Sequence, residues 1–284
     1  MSILVTGYTG QLGYDVVKEG NARGLNMTGV SSADFDITDG LSTLQFVRNM
    51  EPDVIIHCAA YTAVDKAEEE RETCWNTNVI GTENLAKAAK DIDAKFLYVS
   101  TDYVFHGEGN VPFHEEDIPD PIGYYGFSKY IGEKRVENIL EKYFILRISW
   151  VFGTNGNNFV KTMLKLAETR TTLDIVSDQY GSPTYTFHLA RLIIDMIRTD
   201  KFGIYHASNE GYCTWADFAI AIFYKTRNKV DVNPISTEEF PTKAVRPKNS
   251  RMSKDKLVKK GFKPLPSWDE ALDHYLQQLK DEVK

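Results

Sequence analysis

The sequence predicts an α/β fold, in which a doubly wound parallel sheet is followed by a smaller lobe rich in helices. In the first half of the chain, short runs of β-branched and aromatic residues alternate with longer amphipathic stretches. These runs are apolar almost throughout, as in strands buried on both faces of a parallel sheet. A glycine-rich turn directly follows the first run. Together these features are typical of a Rossmann-type dinucleotide-binding sheet.

Five strands are predicted from the apolar runs, in the order ILVTG at 3–7, MTGV at 27–30, DVIIHCA at 53–59, KFLYVS at 95–100 and YFILRIS at 143–149. After about residue 150 the alternation loosens, and helices are predicted near 157–169, 184–199, 214–227 and 268–280. The pairs Thr214 with Asp217 and Ser267 with Glu270 match the capping box at the start of the last two helices.

We therefore expect two domains, a dinucleotide-binding domain at 1–150 and a substrate domain at 151–284. An alternative stays open, in which residues 184–207 return to the first domain. A chain of 284 residues is long enough for one large core or two modest ones.

Composition excludes several classes of partner. The formal charge is −7, from 33 basic and 40 acidic residues, and the basic residues form no stripe that would suit nucleic acid. No stretch approaches the roughly 20 apolar residues of a membrane span, and no signal peptide is recognisable before the first strand. Cys58, Cys74 and Cys213 form neither an even set nor a C-x-x-C pair. We expect a cytoplasmic protein that binds small molecules.

The turn after the first strand reads TGYTGQLG, with Gly7, Gly10 and Gly13 in the spacing G-x-x-G-x-x-G. Glycines at these places permit a tight strand-to-helix turn and a close approach of the backbone to a pyrophosphate, which faces the helix N-terminus. A glycine-rich turn without a ligand is the alternative. After a buried strand, the motif predicts a bound dinucleotide.

The end of the second strand bears on the choice of dinucleotide. It reads GVSSADFD, with Ser31 and Ser32 where an acidic residue would hold the adenosine ribose and repel a 2′-phosphate. Acids follow only at Asp34 and Asp36, and no arginine is present to bind the phosphate. The pattern favours NADPH and leaves NADH possible. Asp36 and Ile37 are expected to flank the adenine, although Asp36 could instead cap the helix that follows.

The segment YYGFSKY places Tyr125 and Lys129 four residues apart, on one face of a helix that can run to about Leu140. Tyr124 pairs with Ser128 in the same way. A nearby ammonium favours the phenolate and lowers the pKa of a tyrosine, so Tyr125 is the phenol expected to react. Such pairs also occur on ordinary surface helices.

The fourth strand supports the catalytic interpretation, because FLYVSTDYVF ends in Ser100, Thr101 and Asp102, where ligands of open α/β sheets bind. A hydroxyl donor, a Tyr/Lys pair and a nicotinamide together suffice for carbonyl reduction.

These motifs resemble the extended short-chain dehydrogenase/reductases, through T-G-x-x-G-x-x-G, Y-x-x-x-K and NTNVIGT at 76–82. The resemblance extends over most of the chain to members that act on 4-keto nucleotide sugars, in PDVIIHCAAYTAVDKAE, STDYVF, YYGFSKYIGE, RISWVFG, NNFVKTML, DQYGSPT and RPKNSRM. It implies NADPH-dependent reduction of the C4 keto group of a dTDP-4-keto-6-deoxyhexose, dTDP-4-dehydro-L-rhamnose, to dTDP-L-rhamnose.

The same resemblance implies roles for individual residues. The catalytic group would be Thr101, Tyr125 and Lys129, and the substrate would be contacted by Thr101, Asp102, Trp150 and Arg246. The cofactor would be contacted by Gly7, Gly10, Gln11, Leu12, Gly13, Ser31, Asp36, Ile37, Ala60, Tyr61, Thr62, Tyr125 and Lys129. Trp150 could instead be a core aromatic residue, and Arg246 and Arg251 could belong to a solvated basic segment, although two guanidinium groups suit a diphosphate.

A 4,6-dehydratase needs an acid and a base beside the threonine, but Asp102 is followed by Tyr103, so dehydration is not expected. The alternatives that stay open are a nucleotide-sugar epimerase and a non-catalytic NADP-binding subunit resembling the regulatory subunit of methionine adenosyltransferase.

Some bacterial members are expected to dimerise through magnesium held by glutamates. Asp15 and Phe187 occupy the matching places here. Phenylalanine cannot bind a cation that requires oxygen ligands. No metal site or magnesium-linked dimer is therefore expected, and the oligomeric state stays open.

Overall fold

The computed structural model describes residues 1–282. The first half of the chain contains β1 (Ser2–Thr6), α1 (Gln11–Ala22), β2 (Asn26–Val30), α2 (Gly40–Met50), β3 (Val54–His57), α3 (Val64–Ala67), α4 (Arg71–Trp75), α5 (Thr82–Asp91), β4 (Lys95–Thr101), α6 (Tyr124–Ile139) and β5 (Tyr143–Ile148). A π-helical turn, Asn76–Gly81, joins α4 to α5.

The second half contains β6 (Val151–Phe152), α7 (Phe159–Ala167), β7 (Thr172–Val176), β8 (Tyr180–Gly181), β9 (Thr184–Tyr185), α8 (Thr186–Ile197), β10 (Gly203–His206), β11 (Cys213–Thr214), α9 (Trp215–Thr226), β12 (Asp231–Ile235), α10 (Asp255–Lys259) and α11 (Trp268–Glu282). All five strands predicted for the first half are present, and so are all four helices predicted for the second half. In the first half, α6 begins at Tyr124. Both predicted capping boxes form.

Six parallel strands form the central sheet, in the order β10-β5-β4-β3-β1-β2. The direction in which strands are added reverses between β1 and β3. At such a point two crossover connections leave to opposite sides, which opens a crevice at the carboxyl ends of the strands. The fold class is the doubly wound Rossmann sheet that the sequence predicts, and its ligand-binding edge lies where the glycine turn follows β1.

The four inner strands of the sheet, β1, β3, β4 and β5, are buried on both faces, and alternate residues belong to different layers. Val5 and Ile56 pack with α1 and α8 on one face, whereas Leu4 and Ile55 pack with α2, α5 and α6 on the other. This explains why the strand segments are apolar throughout and show no polar alternation.

The second lobe has its own apolar core, formed by α7, α9, α11 and short strand pairs around Phe152, Phe218 and Tyr275. Residues 184–207 are shared between the two halves. Within them β10 extends the central sheet beside β5, and α8 covers the same face as α1. These two elements therefore lie with the sheet and not with the second lobe.

Within residues 1–282, none of the helices combines the length and apolar character needed to cross a lipid bilayer.

Candidate active site

The glycine turn after β1 packs tightly between the end of β3 and the start of α1. Gly7 has a left-handed backbone, with φ of +70°, and a Cβ there would lie 2.6 Å from the amide nitrogen of Ala59. A Cβ at Gly13 would overlap the carbonyl oxygen of Gly7. Gly10 is the N-cap of α1 and provides no side-chain cap. The first amides of α1 therefore remain available to an anionic group, as the pyrophosphate of a dinucleotide requires.

A cleft of about 750 Å³ opens at this edge of the sheet. All the predicted site residues except Arg246 line it: Gly7, Gly10, Gln11, Leu12, Gly13, Ser31, Asp36, Ile37, Ala60, Tyr61, Thr62, Thr101, Asp102, Tyr125, Lys129 and Trp150. The carboxyl ends of β1 to β5 supply or precede most of these residues. The fold thus brings the glycine turn, the end of β2 and the Tyr/Lys pair to one cavity.

Just after β2 an acidic side chain binds Ser31, which lines the cleft. Asp34 Oδ2 accepts hydrogen bonds from the backbone N–H and the hydroxyl of Ser31, at 2.7 and 3.0 Å. The hydrogen bond from the Ser31 backbone lowers the pKa of Asp34 most. Asp36 accepts from the Thr38 amide at 2.9 Å, and Asp39 is the cap of α2. The alternative that Asp36 caps this helix is therefore wrong.

Tyr125 and Lys129 lie one turn apart on α6, where Lys129 is buried and Tyr125 is half-buried. The Tyr125 hydroxyl shares a hydrogen bond with Thr101. Thr101 Oγ1 in turn donates to Asp102 Oδ1 at 3.0 Å. The ammonium nitrogen of Lys129 lies 4.1 Å from the ring centroid of Tyr98. The hydroxyl, phenol and amine that the sequence predicts are thus assembled at the cleft.

The electrostatics of the Tyr/Lys pair differ from the expectation. Burial raises the pKa of Tyr125, and the carboxylate of Asp102 adds to the rise. Burial lowers the pKa of Lys129 to about 7. The expected lowering of the Tyr125 pKa by an ammonium is therefore not what this structure shows, because desolvation of the phenol dominates. A phenol that stays protonated at neutral pH suits a proton donor.

Asn78, in the π-helical turn, connects the cofactor side of the cleft to α6. Its Oδ1 accepts from the Tyr61 amide at 2.8 Å, and its Nδ2 donates to the Ser128 hydroxyl at 2.9 Å. Ser128 itself donates to the carbonyl of Tyr125 at 2.7 Å. The sequence analysis used NTNVIGT only as a motif of the family and missed this connecting role of Asn78. A buried asparagine needs hydrogen-bond partners for its amide group, and this requirement is the signal for the role.

Asp102 carries an unusual carboxyl group. It is buried, and its Oδ2 has no hydrogen-bond partner among the described residues. Burial raises its pKa to about 6, against the hydrogen bonds from Ser250 and Thr101. A buried carboxyl oxygen without a partner at a cleft is suited to a polar group of a ligand.

Trp150 follows β5 with a left-handed backbone, φ of +48°, a conformation that bulky residues rarely adopt. Its ring stacks on Trp215 at a centroid distance of 3.7 Å and an interplanar angle of 12°. Trp215 also lines the cleft, and its Nε1 donates to Gln179 at 3.2 Å. The sequence prediction missed Trp215 as a residue of the cleft. The signal for it in the sequence is its position directly after the capping residue Thr214.

Arg246 is the one predicted site residue that the structure does not bring to the cleft. Its guanidinium binds the Asp65 carboxylate at 2.5 Å and contacts the hydroxyl of Tyr103. Arg251 lies over the ring of Tyr180, at 4.0 Å from the centroid. In this structure both guanidinium groups bind protein partners, and Arg246 holds the second lobe against α3.

The places considered for magnesium are occupied by other contacts. Asp15 is buried and accepts a hydrogen bond from the Thr186 hydroxyl, and Phe187 stacks on His274 at 4.8 Å. Among residues 1–282 there is no group of three or more His, Cys, Asp or Glu side chains that could hold a metal ion.

A Rossmann sheet, a glycine turn at its switch point and a Thr/Tyr/Lys group at the same cleft define the class of the protein as an extended short-chain dehydrogenase/reductase. A family model described as the RmlD substrate binding domain matches residues 1–281, and the chain belongs to this family.

Named relatives span nearly the whole chain. It is 39% identical to the spore coat polysaccharide biosynthesis protein SpsK of Bacillus subtilis, over 97% of each chain. It is 38% identical to the dTDP-4-dehydrorhamnose reductase of Salmonella typhimurium, over 98% of each. The solved structure of dTDP-4-dehydrorhamnose reductase from Bacillus anthracis in complex with NADP has a TM-score of 0.96 and 43% identity, covering 98% of this chain and all of that one.

Proposed function

We propose that the chain is a dTDP-4-dehydrorhamnose reductase, which uses NADPH to reduce the C4 keto group of dTDP-4-dehydro-L-rhamnose to dTDP-L-rhamnose. The observation that carries this proposal is the position of the Tyr125–Thr101 pair. The pair lies in the same cleft as the glycine turn and beside Lys129. Relatives of nearly equal length bear the name of this activity, and one of them is solved with NADP.

The residues of the cleft fit a dinucleotide. The α1 N-terminus, with Gly10, Gln11 and Leu12, would bind the pyrophosphate through backbone N–H groups. Ser31 at the end of β2 would lie at the adenosine ribose, and Ile37 would flank the adenine. Ala60, Tyr61 and Thr62 follow β3 and would line the nicotinamide half of the cofactor.

NADPH supplies the hydride that adds to the carbonyl carbon. As negative charge develops on the carbonyl oxygen, the hydroxyls of Thr101 and Tyr125 would donate hydrogen bonds to it. Tyr125 would then transfer its proton, so that the ketone gains one hydride and one proton and becomes an alcohol. The phenolate left on Tyr125 is stabilised by the Lys129 ammonium until a proton from solvent restores it.

The substrate would be held by groups of the second lobe and of the β4 end. Asp102 Oδ2, buried without a hydrogen-bond partner among the described residues, would bind a sugar hydroxyl. Trp150, stacked on Trp215, would form an aromatic wall for the nucleotide sugar. Arg246 would contribute through Tyr103, since its guanidinium is paired with Asp65.

A reducing cytoplasm suits Cys58, Cys74 and Cys213, which are free thiols.

The test supplies purified protein with NADPH and with dTDP-4-dehydro-L-rhamnose generated in place by the two preceding enzymes. We expect dTDP-L-rhamnose to form in an amount equal to the NADPH oxidised. An epimerase would yield an isomeric keto sugar or sugar nucleotide without net oxidation of NADPH. A purely binding subunit would bind NADPH and oxidise none. Either result would refute the proposal.

A further inference from the structure

Behind the Tyr/Lys pair lies a second pair of charges that the reaction itself does not use. Glu133 is one helical turn beyond Lys129 on α6 and is completely buried, and Arg147 on β5 is 2% exposed. Arg147 Nε donates to Glu133 Oε1 at 2.9 Å, and its Nη2 donates to Oε2 at 2.7 Å. Ser100, at the edge of the cleft, donates to Oε1 at 2.5 Å. The carboxylate is thus held by three donors.

A buried ion pair of this kind is a weak source of stability, because the cost of desolvating both charges offsets their attraction. Its position suggests another role. Residues i and i+4 lie on one face of a helix, so the Glu133 carboxylate and the Lys129 ammonium face the same region between α6 and the sheet. Lys129 itself makes no ion pair of its own among the described residues.

The other groups that face Lys129 come from several elements. They are Tyr98 on β4, His57 on β3, Cys58 after it, Cys74 on α4, and Tyr125 and Glu133 on α6. Burial is the main influence on Lys129 and lowers its pKa, while Glu133 contributes the largest opposing effect. Burial also lowers the pKa of His57 to about 3, so this imidazole is neutral near pH 7. Burial raises the pKa values of Cys58 and Cys74, so neither thiol is an anion at that pH.

We propose that Glu133, held by Arg147 and Ser100, is a positioning residue for the reaction, whose carboxylate keeps Lys129 in its ammonium form in a buried site and fixes that charge next to Tyr125. Glu133 supplies the negative charge that makes a buried ammonium tolerable. Arg147 and Ser100 hold the Glu133 carboxylate in one orientation and weaken its electrostatic effect on Lys129. The proposal deepens the proposed function, on which its catalytic consequence rests.

Opposite charge changes at the two positions test this mechanism. Glu133→Gln keeps the shape of the side chain, removes the anion and leaves the Arg147 cation uncompensated, so the titration midpoint of Lys129 should fall by about 1 pH unit. Arg147→Met leaves the Glu133 anion uncompensated, so the midpoint should rise by about 1 unit. The double variant should return to within roughly half a unit of the unmodified protein. A purely structural role predicts no opposite shifts.

The measurement is the pH titration of the Lys129 side chain in the full chain without ligand, by NMR of ¹³C-labelled lysine, with Lys129→Met to assign the signal. This readout does not depend on the substrate, so a wrong proposed function would leave it intact. The matched control is Glu137→Gln, which removes a carboxylate that pairs with Lys134 on the same helix. It should leave the Lys129 midpoint unchanged within roughly 0.3 units.

The results are decisive in both directions. Opposite shifts in the single variants, with recovery in the double variant, support the positioning role. Shifts of one sign, or a Glu133→Gln midpoint equal to that of the unmodified protein, overturn it. If Arg147→Met does not fold, the isosteric Glu133→Gln variant alone decides by the direction of its shift. In the reductase assay, Glu133→Gln should also move the alkaline limb of the kcat/KM profile to lower pH.

Discussion

Three side chains at the cleft, Thr101, Asp102 and Tyr125, form one hydrogen-bonded chain, in which Thr101 and Asp102 are buried. Burial affects the two titratable groups in the same direction, because it disfavours their charged forms. The phenol of Tyr125 is therefore held ready to give a proton, and the carboxyl of Asp102 changes its charge in the range where the enzyme would work. The outcomes expected for single substitutions follow from these environments.

Tyr125→Phe removes the proton donor and keeps the ring. General acid catalysis typically supplies ~10²- to 10⁴-fold, so kcat should fall by about that factor while NADPH binding changes little. Tyr124→Phe is the matched control, since Tyr124 lies against Phe127 and Arg71 and does not line the cleft. Steady-state kinetics and a cofactor titration of both variants provide the check. An inactive Tyr124 variant beside an active Tyr125 variant would contradict the catalytic assignment.

Asp102→Asn should change the pH dependence of stability. With the pKa of Asp102 raised from 3.8 to about 6, the folded chain keeps a proton that the unfolded chain has released. Stability therefore falls as pH rises from about 4 to 6, and asparagine removes this effect. Relative to the unmodified protein, the variant should gain about 2 kcal/mol of unfolding free energy between pH 4.5 and 7.

The measurement for Asp102→Asn is urea unfolding at both pH values. Only the difference between them is used, so a constant cost of the new amide group does not matter. Parallel stability curves for the variant and the unmodified protein would show that Asp102 is not a desolvated carboxyl group.

Asp34→Asn tests the choice of cofactor. We expect NADPH to bind at least as tightly as NADH, because Ser31 and Ser32 leave room for the 2′-phosphate. The Asp34 carboxylate is bound to Ser31, and its negative charge would repel that phosphate. Its removal should raise the preference for NADPH by roughly 3- to 10-fold. Titration with each cofactor at fixed ionic strength measures this ratio, and a strong preference of the unmodified protein for NADH would refute the first expectation.

Among the elements, α6 matters most, since it supplies Tyr125, Lys129 and Glu133 from one face. Its position is determined by glycines that permit close packing. A Cβ at Gly126 would overlap the carbonyl oxygen of Tyr103, and one at Gly132 would overlap the hydroxyl of Tyr98. The helix therefore approaches both the β4 end and the sheet more closely than any other residue at these positions would permit.

Gly126→Ala should displace the start of α6 from Tyr103 although it touches no reacting group. Overpacking of this kind costs about 1–3 kcal/mol of stability, against about 0.5–1 gained from helix propensity. We expect kcat to fall at least about 10-fold, because a misplaced donor loses much of its effect. Kinetics and thermal unfolding test this result.

Gly20→Ala in α1 is the control for Gly126→Ala, since the three atoms nearest to the new Cβ all belong to the flexible side chain of Met27. Full activity of the Gly126 variant would show that α6 has room that the structure does not indicate.

At the scale of the whole molecule, the second lobe closes the cleft from one side and is joined to the sheet by several polar contacts. Arg246 binds Asp65, and Asn155 donates to the carbonyl of Thr9 in the glycine turn at 2.8 Å. These contacts connect residues far apart in the chain and give the cleft its two walls.

Magnesium should not affect the assembly of this protein. Asp15 is buried against Thr186, and Phe187 has no oxygen ligand to offer. The sedimentation coefficient should therefore be the same with magnesium and with a chelator, at several protein concentrations. A shift that depends on magnesium would show that another set of oxygen ligands forms between chains.

Much of this protein can be read from the sequence because the relevant signals are local. Apolar runs such as that at 53–59 determined the five strands, the spacing of Gly7, Gly10 and Gly13 predicted the cofactor turn, and Tyr125 with Lys129 predicted the reactive face of α6. Helix caps are equally local, as Thr214 with Asp217 shows. Each of these features depends on the backbone period or on neighbours within four residues.

Only the tertiary structure decided what depends on contacts between distant residues. Trp215 reaches the cleft because it stacks on Trp150, Asn78 connects the cleft to α6 because it binds Tyr61 and Ser128, and Arg246 is paired with Asp65. The spacing of the residues also did not determine their charge states. The ammonium four residues from Tyr125 predicts a lower pKa for the phenol, whereas burial raises the pKa of that phenol. Desolvation is a property of the packed interior, and no local pattern along the chain specifies it.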